Sequence, residues 1–215
     1  MDRVFSAPLS QAREVVGKTV VEELKRRGFI AAYAATKEDA LEAVMNLIPA
    51  GVSVGVPGSV TIREIGVMEA LEKKGCRVFQ HWGKMTPEER TQARMDENSA
   101  DFFLTGANAL TRSGEIISID GAGNRVAAMA WGLGELIFII GINKLASTLE
   151  EGIRRARTAV IPNALRLGGE TPCTKAGQCV DCRADSRACR AMLILEGPSQ
   201  GRKVHVIVVG ESLGY

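Results

Sequence analysis

The chain has 215 residues, of which 46% are hydrophobic and 24% charged, enough apolar side chain for a packed core and too much for a disordered chain. Its 27 Lys and Arg against 25 Asp and Glu leave a net charge of +2, without the broad basic field that nucleic-acid binding needs. Met1 to Leu9 hold no apolar signal core, and the longest apolar run, Leu136 to Ile142, falls far short of the roughly 20 residues that cross a bilayer. Neither export nor membrane insertion is expected, a cytoplasmic location is, and five cysteines in that compartment should stay reduced.

Helical and strand patterns alternate along most of the chain. Val16, Val20 and Leu24 recur at helical spacing within Ser10 to Arg27, and Gly28 stands where a helix C-terminal cap belongs. Thr36 with Asp39 has the form of a capping box, and Leu41, Val44, Met45 and Ile48 continue a second helix to Pro49. Gly51 to Val56 is a short β-branched run that reads as a buried strand ending at Pro57-Gly58-Ser59. Thr61 with Glu64 predicts a further capping box and a helix running through Lys74.

Cys76 to Gln80, Asp101 to Thr105, Glu115 to Asp120 and Leu136 to Ile142 are further strand candidates. A helix is expected from Leu149 to about Arg166, and the pattern stops at Gly168-Gly169. The last apolar alternation, Lys203 to Val209, predicts a strand returning to a sheet edge. Alternation on this scale implies an α/β fold: a layered, mainly parallel sheet with helices on both faces. The expected division is an α/β domain over 1–169 and a cysteine-rich segment with the terminal strand over 170–215.

In parallel sheets ligands collect outside the carboxyl ends of strands. Three glycine-rich strand ends are candidates here. In the first, Gly55 and Gly58 let backbone approach a ligand, while Ser59, Thr61 and Glu64 surround a helix start that suits an anion. The second places Asn108 and Thr111 after a strand, and the third gathers Asp120, Gly123, Asn124 and Arg125 into a turn. Each has a plainer reading as a helix cap or turn former. Neither a dinucleotide-binding glycine fingerprint nor a P-loop is present. Ser59, Thr61, Asn108 and Asn124 are expected to converge on one concavity that takes a small anionic metabolite.

Gly58-Ser-Val-Thr-Ile-Arg-Glu-Ile-Gly66, Ala107-Asn-Ala-Leu-Thr-Arg-Ser-Gly114, Gly121-Ala-Gly-Asn-Arg-Val126 and Ile140-Gly-Ile-Asn-Lys144 resemble the pattern of the lactate-utilisation (LUD) domain family. The likeness spans about residues 10–215, and the tail from Thr171-Pro-Cys173 to Cys189 resembles that of one branch. The resemblance implies a fold similar to the sugar-isomerase and CoA-transferase-like superfamily, with a site at these strand ends. Some relatives serve in lactate oxidation beside iron–sulfur subunits, so an accessory role of that kind is implied as an alternative.

Cys173, Cys179, Cys182 and Cys189 fall within 17 residues, with Cys179 and Cys182 forming a CxxC unit whose turn lets two thiolates face one centre. One metal centre is expected, a [4Fe-4S] cluster in preference to Zn²⁺, because irregular outer spacing suits cluster ligands better than zinc knuckles. Cys76 reads as a small buried hydrophobe. Neither His81 nor His205 lies in the glycine-rich turns, so no histidine-centred mechanism is indicated; Lys144, just past a strand end, could pair an anionic substrate, but a lone lysine there is more often solvated. Two function classes follow: a small-molecule enzyme or binding protein using the glycine loops, or a redox-sensing or structural cysteine-cluster protein. A homo-oligomer is compatible with either. A cysteine cluster remote from the pocket would favour the second.

Overall fold

The computed structural model describes residues 2–215, with side chains from Ala7 onward. Helix α1 (Asp2–Arg26) leads into β1 (Ile30–Ala34), and α2 (Lys37–Leu47) into β2 (Ser53–Gly55). Two short helices, α3 (Val60–Glu64) and α4 (Val67–Lys73), precede β3 (Arg77–Phe79), and α5 (Pro87–Ser99) precedes β4 (Phe102–Thr105). Then come β5 (Ala109–Thr111), β6 (Ile116–Asp120), α6 (Asn124–Ala130) and β7 (Glu135–Gly141), a 3-10 turn at Ile142–Lys144 and β8 (Leu145–Ala146). The chain closes with α7 (Leu149–Arg166), α8 (Pro172–Ala176), β9 (Ala191–Leu195) and β10 (Val204–Val209).

The strands form two sheets. The larger has six strands in the order β1-β10-β7-β4-β2-β3, every neighbouring pair parallel. This is the expected α/β architecture. The smaller, in the order β8-β5-β6-β9, is mixed: β6 runs antiparallel to both β5 and β9, while β8 is parallel to β5.

Strand β7 shows why the larger sheet needs two cores. Leu136, Phe138 and Ile140 point into a cluster with Val20, Val21 and Leu24 of α1, whereas Ile137 and Ile139 point into another with Ala40 and Val44 of α2 and Ile62 of α3. Side chains alternate across a strand, so a strand apolar on both faces belongs inside a sheet covered on both sides. Each large aliphatic or aromatic side chain so buried contributes about 1.5–3 kcal/mol. Strand β10 follows the same rule, with Val204, Val206 and Val208 on one face and Ile207 and Val209 on the other. It lies between β1 and β7, so the expectation of a sheet edge is corrected. A third cluster, with Ala109, Ile117 and Ile119 against Ala156 and Val160, seats α7 on the smaller sheet.

The capping box at Thr36 forms as expected, each partner accepting a backbone N–H at 3.1 Å. The one expected at Thr61 does not. Ser59 is the N-cap residue of α3, without a side-chain cap hydrogen bond; Thr61 is its second helical residue and is buried, and the helix expected to reach Lys74 breaks at Gly66, whose φ of 67° lies in the left-handed region. Among the described residues no helix is long and apolar enough to cross a membrane.

Candidate functional site

A cavity of about 470 Å³ opens where the loops after β2, β4 and β7 meet the end of β6, with α5 and α7 as side walls. Ser59, Thr61, Asn108 and Asn124 all line it, together with Gly58, Asp120 and Arg125. Three glycine-rich strand ends thus share one concavity. Gly55, Glu64, Thr111 and Gly123 do not line it. A Cβ on Gly55 would lie 2.7 Å from the carbonyl carbon of Glu97 and closer still to its oxygen, so this glycine admits the backbone of α5 rather than a ligand. Glu64 accepts the Gly214 N–H at 2.7 Å. Thr111 shares the Glu115 carboxylate with Ser113, and Gly123, at φ 84°, is the N-cap residue of α6.

Several lining residues hold the wall together. The Asp120 carboxylate accepts the N–H groups of Arg125 at 2.8 Å and Val126 at 3.2 Å, tying the end of β6 to the start of α6. Asn108 Oδ1 accepts the Ile119 N–H at 2.9 Å and an Arg125 guanidinium N–H at 3.0 Å. Arg155 of α7 donates to the carbonyls of Asn108 and Asn143, fixing the loop after β4 and the turn after β7 on one guanidinium.

The cavity is cationic. Arg90, Arg94, Arg125, Lys144 and Arg166 line it, against the single carboxylate of Asp120, which already serves two backbone N–H groups. The Nε atoms of Arg94, Arg125 and Arg166 are buried and meet no protein acceptor among the described residues. Guanidinium groups gathered with so little opposing charge suit a carboxylate or phosphate, which accepts charge-assisted hydrogen bonds from them. Burial holds Arg125 below its ordinary value. Trp82 adds a flat wall, with Arg63 3.4 Å and Arg166 4.3 Å from its ring centroid; burial and the neighbouring Arg166 push Arg63 down to about 10.

Two chemically capable groups face this space, one of them a histidine for which the sequence indicated no role. His81 lines the cavity, and its Nδ1 lies 2.7 Å from Oε1 of Glu97, which is fully buried on α5. A Cβ on Gly58 would sit 3.8 Å from His81 Nε2, so the free ring nitrogen faces the first glycine loop. A carboxylate behind one imidazole nitrogen orients the other for proton transfer. Desolvation raises the Glu97 carboxyl, against the lowering influence of His81, and Glu97 Oε2 meets no protein partner among the described residues. The other histidine, His205, is buried in β10 and paired with Glu135 at 2.9 Å, a structural position.

Lys144 is the second group. It is only 3% exposed, not solvated as its sequence position suggested, and its Nζ donates to Thr61 Oγ1 at 2.8 Å. Burial, with Arg155 and Arg125 nearby, pushes the amine down to about 7. No signal in the sequence distinguishes a buried lysine after a strand from an exposed one. His81 and Glu97 lie 16 residues apart on a loop and a helix, a pairing that only the fold creates.

The five cysteines are free thiols. Cys76 is buried, as expected of a small hydrophobe, Cys179 is exposed, and Cys173, Cys182 and Cys189 are half-buried. Arg187 donates to the carbonyls of Cys182 at 2.6 Å and Cys189 at 2.9 Å, while the Cys173 thiol lies 3.0 Å from the Thr171 hydroxyl. Among the described residues no three His, Cys, Asp or Glu side chains converge as a metal-ligand group, so in this arrangement the four thiols do not form a ligand set. The cysteine segment nevertheless adjoins the cavity: Ala188 lines it, and the Arg190 N–H donates to the Asp120 carbonyl at 2.9 Å.

No curated protein matches the chain. A DUF162 family protein from Deinococcus radiodurans, known from its crystal structure, is similar in fold, with a TM-score of 0.55 at 15% identity over 92% of this chain and 98% of that one. The LUD domain model matches residues 17–209, which hold every strand of both sheets and every residue lining the cavity except Tyr215, and on that match the chain belongs to the LUD domain family.

Proposed function

We propose that the chain is a small-molecule enzyme whose substrate is an anionic metabolite held in the cationic cavity, with His81, oriented by Glu97, moving the proton. The observation that carries the reading is one cavity lined by Arg90, Arg94, Arg125 and Arg166 with Asp120 as its one acidic side chain. A carboxylate or phosphate would accept from guanidinium N–H groups facing the cavity and offset the mutual repulsion of the clustered cations. His81 would then sit across the first glycine loop from the bound anion, where Nε2 can take or return a proton.

Thermal denaturation with a panel of small carboxylates and phosphates tests this. An anion at 100 times its Kd stabilises the folded chain by about 2.7 kcal/mol. Arg94→Ala or Arg166→Ala should weaken binding about tenfold, the loss of one charge-assisted hydrogen bond. If no anion of either class stabilises the protein, the reading fails.

A second reading, that the C-terminal cysteines hold a [4Fe-4S] cluster or Zn²⁺, draws on four free thiols within 17 residues and on Arg187 joining the backbone at two of them. Loading would require the four thiols to draw together. Anaerobic purification with iron, sulfide and zinc analysis decides it: about four irons per chain support the cluster, stoichiometric zinc supports a structural site, and metal-free protein defeats both.

A further inference from the structure

We propose that Lys144 is a nucleophile, condensing with the carbonyl carbon of an anionic aldehyde or 2-oxo acid bound in the cavity; this rests on the anionic-metabolite reading above and narrows its substrate class to carbonyl compounds. The placement of the amine is unusual for a lysine. It is buried in the wall of a cavity, it forms no ion pair with a carboxylate among the described residues, and its one hydrogen-bond partner is a hydroxyl, Thr61 Oγ1. A lysine meant only to hold an anion gains from staying charged, and the neighbouring arginines already supply that charge.

The surroundings favour the neutral amine. Arg155 of α7 and Arg125 of α6 oppose its protonation, Glu64 of α3 favours it weakly, and burial outweighs Glu64, so that near neutral pH about half the amine is free. By accepting one N–H, Thr61 holds the amine in place and leaves its lone pair two directions instead of three. The step balances without any further reagent. The Nζ lone pair forms a C–N bond as the carbonyl π pair moves to oxygen, and one nitrogen proton passes to that oxygen, giving a carbinolamine. The nitrogen lone pair then expels hydroxide, which takes the second nitrogen proton and leaves as water, and an imine remains.

Glyoxylate, a small anionic aldehyde, with cyanoborohydride to reduce any imine, is the probe. After incubation of the full chain at pH 7 and proteolytic digestion, mass spectrometry should place the carboxymethyl adduct on Lys144 on the order of a hundredfold faster than on the surface lysines, which are almost wholly protonated at that pH. Labelling of Lys144 should be half-maximal near pH 7, and Lys144→Arg should abolish the selective adduct without moving it to another lysine. In a parallel arm, malonate and inorganic phosphate are tested for thermal stabilisation of both proteins. Stabilisation by these anions with glyoxylate adducts spread evenly over surface lysines overturns the nucleophile and leaves the anion site standing. Selective labelling of Lys144 without stabilisation by any anion supports the nucleophile and removes the anion reading.

Discussion

Replacing Lys144 by Met tests the burial argument through stability alone, with no need of a substrate. The amine falls from an ordinary 10.5 to about 7 in the folded chain, which at about 1.4 kcal/mol per unit corresponds to about 5 kcal/mol of opposition to the charged form. Lys144 is 3% exposed, so solvent screening reduces this little. The sign follows from proton counts. Between pH 7 and 10.5 the unfolded lysine holds a proton that the folded one has released, so stability rises with pH through that window and is lost as pH falls toward 7. Below about 7 both states are charged and the full cost remains. The Met variant has no such slope, though it forfeits the hydrogen bond to Thr61, about 1 kcal/mol. Urea denaturation of both proteins at pH 6, 7, 8 and 9 should show the variant ahead at pH 6 to 7, its advantage shrinking by about 1.4 kcal/mol for each unit above 7. The same steps in other groups cancel in the difference. A difference that stays constant from pH 6 to 9 would refute the buried, depressed amine.

Gly55→Ala should destabilise by more than the roughly 1–3 kcal/mol of ordinary overpacking, because the added carbon meets only Glu97 backbone; a melting temperature within a degree of the parent's would contradict the close approach of β2 and α5. Asp120→Ala removes the acceptor for two N–H groups at the start of α6 and should cost about 1 kcal/mol, with weakened anion affinity as Arg125 loosens; unchanged stability by denaturant titration would mean that water replaces the carboxylate at no cost. In a Trp131→Phe background, which leaves Trp82 as the only tryptophan, phosphate should change the emission of the indole beside Arg63 and Arg166, and emission that stays flat through a titration that stabilises the fold would place the anion elsewhere.

Where the chain writes its structure in β-branched runs, reading it succeeds. Leu136 to Ile142 and Lys203 to Val209 announced β7 and β10 almost to the residue. Strand β10, expected at a sheet edge, lies inside the sheet, as suits a strand buried on both faces. Strand β1, Ile-Ala-Ala-Tyr-Ala, escaped notice because alanine has little strand preference of its own. Of the smaller sheet only β6 was foreseen, since β5 and β8 have three and two residues and depend on their neighbours for pairing. In the cavity the glycine-rich loops were legible because turn chemistry is local, which is how Ser59, Thr61, Asn108, Asp120, Asn124 and Arg125 came to be named. The arginines of α5 and α7 were not. On a polar helix such as α5, buried Glu97 looks like any other acidic residue of the run, and only the packing of β2 against it sets it apart.

The cavity and the cysteine segment entered as alternatives, separable by whether they lay apart. They share a wall. A Cβ on Gly121 would lie 3.0 Å from the Ala188 carbonyl oxygen, so the residue before Cys189 packs closely against the third glycine loop at a position without a side chain. On the far side of Cys189, Arg190 donates to the Asp120 carbonyl, and β9 starts in register with Ala191 opposite Asp120. Asp120 in turn holds the start of α6 and the backbone of Arg125, whose guanidinium reaches Asn108. A change in the conformation around Cys189, from oxidation or metal loading, would therefore press first on Asp120 and next on Arg125, two of the residues that shape the anion's surroundings. Distance consequently cannot separate the two function classes here; they must be separated by chemistry, metal content on one side of Gly121 and anion affinity on the other.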